Sequence, residues 1–143
     1  MKRIRSFEII GLLIILSLTA VACISSAGAT GKLEGVTWVL KSYGDPNHLT
    51  AAVADREVTL TFDRDKKEIR GNGGVNSYGS KYEVDGNKLT VSNIISTAMA
   101  GPEPLMSQEK AFFNILQSAQ SYKISGQELT ITGTEGILVF LQK

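Results

Sequence analysis

One segment of this 143-residue chain has its apolar residues at helical spacing, whereas the segments on either side of it read as strands. The segment runs from Thr97 to Ala119. Lys110, Asn114 and Ser118 fall on its polar side. The apolar side consists of Leu105, Met106, Phe112, Phe113, Leu116 and Ala119. Because one amphipathic helix must bury its apolar side against another element, we expect the remaining segments to form a sheet that covers it.

Glu109 falls in the middle of this apolar side. An unpaired carboxylate there would cost several kcal/mol, so the side chain must have a partner. We predict hydrogen bonds from backbone N–H groups of residues 73–77, or from Arg70. A role in locking the helix to the sheet is favoured over a catalytic one.

Strand patterns occupy most of the remaining sequence. Residues 33–40 place Trp38 on an apolar face, and residues 57–62 alternate between apolar residues and threonine. The charged residues 63–68 predict a hairpin turn, with a calcium loop a much weaker interpretation because the central glycine is missing. Residues 137–141 are apolar throughout, so we expect a final strand lying between other strands and covered on both faces.

An internal repeat supports a sheet of hairpins. Residues 82–91 align without a gap to residues 122–131 as Tyr-x-Val/Ile-x-Gly-x-x-Leu-Thr-Val/Ile. In each copy the glycine region predicts the turn, and the apolar residues of both strands fall on one side. A similar hairpin on each side of the single helix suggests a sheet that wraps around it.

Residues 70–82 contain several glycines. Glycine-rich loops can bind phosphate, but no Lys-Ser/Thr pair follows and no helix begins here, so this interpretation is weak. We favour a bulge or a sharp strand bend, since glycines in a strand pattern mark kinks or the close approach of another element. The helix start near Met99 is the candidate for that element.

The N-terminus has the pattern of a secretory signal peptide. A basic head, with Lys2, Arg3 and Arg5, precedes an apolar run from Ile9 to Leu18. Cys23, the only cysteine, follows Ala-Val-Ala, which resembles the lipobox of lipoproteins although leucine is usual three places before the cysteine. We therefore predict a signal peptide over 1–22, lipidation of Cys23, a flexible tether over 23–32 and one domain over 33–143.

Two other outcomes remain open for this end of the chain. Residues 20–22 and 27–29 both fit ordinary signal cleavage, which would give a soluble secreted or periplasmic protein. An uncut anchor is the third reading, although the apolar segment is short for a spanning helix. The favoured localisation is extracytoplasmic, anchored to the membrane through a lipid.

Charge and residue types argue against several functions. Three of 15 basic and one of 14 acidic residues precede Cys23, which leaves a net charge of −1 and no basic stripe for nucleic acid. The domain has no thiol to form a disulfide or bind a metal, and we expect no cofactor. His48, the only histidine, lies in a polar loop without a nucleophile motif, so we predict that the protein is not an enzyme.

Four motifs in order resemble the META domain, an HslJ-like family. They are Leu33-x-Gly35-x-x-Trp38-x-Leu40; Gly74-x-Asn76-x-Tyr78; Thr97-x-Met99-Ala100 with Met106 and Glu109; and Leu129-Thr130. The resemblance implies a mainly β, α+β fold: an antiparallel curled sheet or open barrel of about 7–8 strands wrapped around a single α-helix. The family often has cysteines at the positions of Val75 and Gly101, so a thiol role is not expected here. Their joint absence fits two positions that meet in space.

The resemblance implies an envelope or secreted protein linked to stress, and no agreed molecular activity. We expect a monomeric, non-catalytic stress or partner-binding module, held at the membrane by its lipid and contacting an unidentified envelope protein. A carrier of lipid or another small apolar ligand, with a pocket near Trp38, Phe112 and Phe113, is the alternative. An inhibitor of envelope proteases is a weaker one.

Overall fold

The computed structural model describes residues 32–143, so the predicted signal peptide, Cys23 and nearly all of the tether lie outside the described residues. The described chain forms ten strands and one helix. The strands are β1 Thr37–Asp45, β2 His48–Ala51, β3 Thr59–Asp63, β4 Glu68–Asn72, β5 Ser77–Asp85, β6 Lys88–Val91, β7 Ile95–Ser96, β8 Ala119–Ser125, β9 Glu128–Gly133 and β10 Gly136–Gln142. The helix, α1, spans Glu103–Gln117.

Eight of the strands close into an antiparallel barrel. Their order is β1, β3, β4, β5, β6, β8, β9 and β10, and β10 pairs back onto β1 from Trp38↔Gln142 to Gly44↔Ile137. The short strand β2 pairs with the far half of β1, and β7 pairs with β5. The prediction of a mainly β, antiparallel structure around a single helix is confirmed, with the barrel closed.

The barrel has two distinct ends. The chain enters at one of them, where the backbone N–H of Gly35 donates to the carbonyl of Phe62, and we call this the tether end. The turns at 64–67 and 126–127 lie at the same end, because the strands beside them are antiparallel. At the opposite end, here the helix end, α1 packs against loop 73–76 and the turn between β9 and β10.

Side chains fill the barrel interior. Trp38 is fully buried, as predicted, and its indole N–H donates to the carbonyl of Leu33, which caps the tether end. Phe112 of α1 packs against Phe140 with ring centroids 6.3 Å apart. The largest fully buried side chains are Trp38, Tyr82, Phe62, Phe112, Phe140, Leu60, Ile69, Leu89, Leu116, Leu129, Ile131 and Leu138. The space near the predicted ligand pocket is therefore occupied by the aromatic rings themselves.

Both copies of the repeat are hairpins, as predicted. β5–β6 and β8–β9 pair in the same register, with Tyr82↔Val91 in one and Tyr122↔Ile131 in the other. Each turn contains a glycine with φ of +60°, which L-residues with side chains adopt only with strain. The two hairpins are neighbours in the barrel, so the repeat forms half of its wall.

The joint between these hairpins, which we call the seam, is the weakest ladder of the barrel. β6 and β8 share a single residue pair, Lys88↔Ser121. Farther along, the side chain of Gln117 bridges the gap: its Nε2 donates to the carbonyls of Val91 and Ser92, and its Oε1 accepts from the N–H of Ile94. A side chain thus replaces backbone pairing where β8 diverges from β6.

The helix is shorter than the periodicity predicted. Residues 97–102 have no regular secondary structure, and α1 begins at Glu103 because Pro102 and Pro104 bracket its first residue. Ala119, predicted on the helix, instead opens β8. Within residues 32–143, no helix is long and apolar enough to cross a membrane.

The final strand lies between β9 and β1, as predicted. Both faces of β10 are covered in its middle, where Leu138, Val139 and Phe140 are buried. Leu141, at the tether end, is exposed. His48 begins β2 instead of lying in a loop, and it is exposed.

Candidate functional site

Glu109 is buried at the helix end and anchors α1 to the barrel. Its Oε2 accepts the backbone N–H groups of Val75 at 3.0 Å and Asn76 at 2.6 Å, and its Oε1 accepts the side-chain amide of Asn76 at 2.6 Å. Only 4% of the residue is exposed. The predicted partners in loop 73–77 are confirmed, and the alternative partner Arg70 instead pairs with Asp63 and Glu68 on the barrel surface.

Asn76 is the hub of this polar cluster. Besides donating to Glu109, its Nδ2 donates to the carbonyl of Met99 at 3.1 Å. Its Oδ1 accepts the hydroxyl of Thr97 at 2.8 Å and the backbone N–H of Met99 at 2.7 Å. All four hydrogen-bonding positions of the amide are therefore occupied, which fixes segment 97–99 against the helix and the loop.

The loop needs glycine because the helix approaches it closely. A Cβ on Gly73 would lie 2.7 Å from Oε2 of Glu109 and 2.8 Å from the ring of Phe113. Gly74 has a φ of +114°, a conformation that strains residues with a side chain. The predicted close approach is confirmed: the segment near Met99 contacts the loop at Asn76, and the middle of the helix approaches it at Gly73. The glycines also form the β4–β5 turn, where a bulge or bend was predicted.

Tyr78 joins the loop to the core. Its ring contacts both Phe112 and Phe113, with centroids 5.4 Å and 5.2 Å away, and its hydroxyl donates to the carbonyl of Thr59 at 2.9 Å. Burial raises the pKa of the Tyr78 phenol well above its ordinary value. The phenol is therefore a structural hydrogen-bond donor throughout the neutral pH range.

An open cleft lies over the polar cluster, between segment 96–100 and α1; we call it the helix cleft. Its volume is about 530 Å³. Asn76 and Glu109 are its buried polar residues, and Met99, Met106 and Phe113 contribute apolar surface. The side chain of Met99 is exposed although its backbone is held by Asn76. Four residues singled out from the sequence thus meet at one cleft: Asn76, Thr97, Met99 and Glu109. Gly74 and Tyr78 support the adjoining loop, whereas Trp38 is a core residue at the tether end.

Gln108 belongs to the same region and was missed in the sequence. It is fully buried; its Oε1 accepts the N–H of Val53 at 2.7 Å, while its Nε2 has no partner among the described residues. Its spacing from Leu105 and Phe112 would have placed it on the buried side, but a polar residue was not counted there. Ile115 is also buried and was not predicted, although it lies three residues after Phe112 on the same side of the helix.

Val75 and Gly101 meet in space, as expected from their joint departure from the family pattern. A Cβ on Gly101 would lie 2.7 Å from Cγ2 of Val75 and 3.4 Å from its Cβ. Val75 is buried, so its side chain occupies the space that a side chain at position 101 would need.

A second groove lies on the outer face of β4 and β5. Its volume is also about 530 Å³, and it is lined by Arg70, Gly79, Lys81 and the exposed Ile95, among others. Lys81 and Arg70 both face Glu68, and hydrogen bonding from Lys81 lowers the pKa of that carboxyl. Within residues 32–143, no group of three or more His, Cys, Asp or Glu side chains could hold a metal ion.

Comparisons with known proteins agree with this architecture. A protein from Burkholderia xenovorans, solved by NMR, superposes with a TM-score of 0.68 at 21% identity, covering 78% of this chain and 83% of that one. The crystal structure of a DUF4847 family protein from Bacteroides vulgatus superposes with a TM-score of 0.57 at 16% identity, covering 76% and 93%.

At these identities the two structures support the fold alone. A search of curated proteins found no match. The family model of the META domain matches residues 31–143. The chain therefore belongs to the META domain family.

Proposed function

We propose that this META-domain protein is an exported lipoprotein that uses its helix end to bind a partner protein of the cell envelope, without catalysis. The basic head, the apolar run and Cys23 after Ala-Val-Ala support export and lipidation. A role in envelope stress is the physiological setting that we propose for this binding.

The observation that carries the proposal is the placement of the helix cleft relative to the chain entry. Leu33 lies at the tether end, whereas Glu109 and the cleft lie at the opposite end. Nine residues, 24–32, separate Cys23 from Leu33, and a fully extended segment of that length spans at most about 30 Å. A lipid on Cys23 would therefore attach the domain to the bilayer through its tether end and leave the helix end unobstructed by the anchor.

The packed interior favours surface binding over the carrier alternative. Trp38 and Phe112 are fully buried core side chains, and Phe113 contacts Tyr78 on one side and the helix cleft on the other. A lipid inside the barrel would have to displace rings that pack at van der Waals contact. A partner that binds in the helix cleft would not have to displace any core side chain.

Mass spectrometry of the purified mature protein tests the anchor. We expect an N-terminus at Cys23 that carries acyl chains, and a Cys23→Ser variant that leaves the membrane fraction. A mature N-terminus at residue 30, or an unmodified soluble form, would contradict the lipoprotein part of the proposal.

In-cell photocrosslinking tests the partner. A crosslinker placed at Met99, which is exposed at the cleft, should capture one envelope protein, whereas a crosslinker at Lys123 on β8 should not. Heat treatment should raise the yield of the Met99 adduct if the complex belongs to a stress response. Equal capture from both positions would refute a specific site at the helix end.

A further inference from the structure

The carboxylate of Glu109 is a buried charge without a cationic partner among the described residues. Each of its three hydrogen bonds comes from a neutral amide, and the ion pairs of the described chain involve other acids. A buried charge is stabilised most when an opposite charge accompanies its hydrogen bonds. The polar cluster therefore has an unmet preference for a cation.

The remaining acceptor capacity of Glu109 is small and lies on one oxygen. A carboxylate offers about four lone-pair positions. Among residues 32–143, Oε2 accepts two N–H groups, whereas Oε1 accepts only the amide of Asn76. Since Glu109 lines the helix cleft, the free position on Oε1 is the one that a bound molecule could fill.

A single free acceptor position on Glu109 favours lysine over arginine, because arginine cannot use its two-pronged donor there. The guanidinium of arginine is a planar fork that matches two acceptor positions at once, whereas the ammonium of lysine is a compact point donor. The cleft above the carboxylate is lined by Met99, Met106 and Phe113, which suit a methylene stem. Lys110 also lines the cleft, but it is exposed, so solvent screens its charge.

From this arrangement we propose that the helix cleft binds a lysine side chain of the partner protein, with the ammonium on Glu109 and the methylene stem between Met99 and Phe113. The inference rests on the proposed partner-binding function and names the chemistry of the contact. A volume of about 530 Å³ lies in the range of small-molecule pockets and accommodates one side chain with its flanking backbone.

A titration with single-residue probes tests the chemistry without knowledge of the partner. The mature protein, isotopically labelled, is titrated with Nα-acetyl-lysine N-methylamide while the side-chain amide of Asn76 and the backbone N–H of Val75 are followed by NMR. Both donors hydrogen-bond to Glu109, so both signals should shift saturably. The absence of saturation at these two signals would overturn the proposal.

Matched probes separate the ammonium from the stem. The norleucine analogue keeps most of the methylene stem and lacks the charge, and the arginine analogue keeps the charge and replaces the point donor with a fork. The norleucine analogue should bind about tenfold more weakly than the lysine analogue, the factor expected for one charge-assisted hydrogen bond. The arginine analogue should also bind more weakly, because only one of its two forked N–H donors finds an acceptor. Equal binding of either probe would overturn the assignment to lysine. Equal binding of n-butylamine would show a site for free amines and would overturn the assignment to a partner side chain.

Variants of the protein complete the test. Met99→Ala removes an exposed wall of the cleft and should weaken binding several-fold without loss of stability, whereas Lys110→Ala should not weaken it. Glu109→Gln should abolish the preference for lysine over norleucine. Unchanged binding by Met99→Ala would refute the cleft as the site, even if the Glu109 variant fails to fold.

The two proposals can fail separately. A captured envelope partner together with a negative titration would refute the lysine contact alone. A positive titration together with no specific adduct from Met99 would refute the partner-binding function in the cell and leave the lysine-binding chemistry standing.

Discussion

Removal of the Glu109 side chain should be among the most damaging changes at the helix end. Glu109→Ala deletes the acceptors of two backbone N–H groups and one side-chain amide, all from Val75 and Asn76. A buried donor that loses its partner costs at least about 1 kcal/mol, so the free energy of unfolding should fall by about 3 kcal/mol. Glu109→Gln should cost less, because an amide oxygen at the position of Oε2 can still accept both backbone N–H groups.

A double-mutant cycle with Asn76→Ala makes the prediction sharper. The shared contact is the 2.6 Å hydrogen bond from Asn76 Nδ2 to Glu109 Oε1, which has an ionised acceptor. Such bonds contribute about 1.5–3 kcal/mol, so the double variant should lose less stability than the sum of the single variants by about that amount.

Urea denaturation followed by the fluorescence of Trp38 measures these energies, since this single tryptophan is fully buried. Lys110→Ala, an exposed change on the same helix, serves as the control and should stay within about 0.5 kcal/mol of the parent protein. If Glu109→Ala matched that control, or if the two losses simply added, the polar cluster would not hold the helix to the barrel.

Three further predictions concern other parts of the barrel. Gly71→Ala places a Cβ 1.9 Å from the carbonyl oxygen of Thr59, so we expect a loss of more than about 3 kcal/mol in chemical denaturation; a neutral effect would contradict the close spacing of the two strands. Val75→Cys with Gly101→Cys should form a disulfide, because the Cβ positions are 3.4 Å apart, near the usual separation. Oxidation should stabilise this variant by about 3.5 kcal/mol relative to its reduced form, and no difference between the two would contradict the geometry. Above about pH 10, tyrosines of the unfolded chain lose protons while Tyr78 keeps its own, so stability should fall by about 1.4 kcal/mol per pH unit for this residue. Tyr78→Phe should reduce that slope in denaturation curves measured across pH, and an unchanged slope would contradict the burial of the phenol.

Part of the polar cluster could be predicted from the sequence, because Glu109 is a charged residue among the apolar residues of the helix. A carboxylate on the apolar side of a helix demands donors, and the glycine-rich loop offered exposed N–H groups. The central role of Asn76 in this cluster could not be predicted from a sequence pattern. Asn76 makes four contacts with two other segments, residues 97–99 and the helix, and only the folded topology brings these segments to the loop.

The periodicity of apolar residues predicts a helix from Thr97 to Ala119, which is longer than the observed helix, Glu103–Gln117. The hydrogen bonds between Asn76 and Met99 hold the preceding segment against the loop and outside the helix, and Pro102 and Pro104 set the start of α1. These proline positions were readable in the sequence. Gln108 shows the opposite limit, since a buried amide with one unpaired donor follows from no local pattern.

The seam has a consequence for how the barrel opens. With one residue pair between β6 and β8, and Gln117 as the bridge beyond it, rupture there would separate the hairpins without breaking either one. Amide protons at this joint should exchange with solvent through a small local opening, earlier than those of the β1–β10 ladder. Loss of the Gln117 side chain should make this opening more frequent, because the Lys88↔Ser121 pair and the hydrogen bond from the Tyr122 N–H to the Asn87 carbonyl would then be the remaining backbone contacts of the seam.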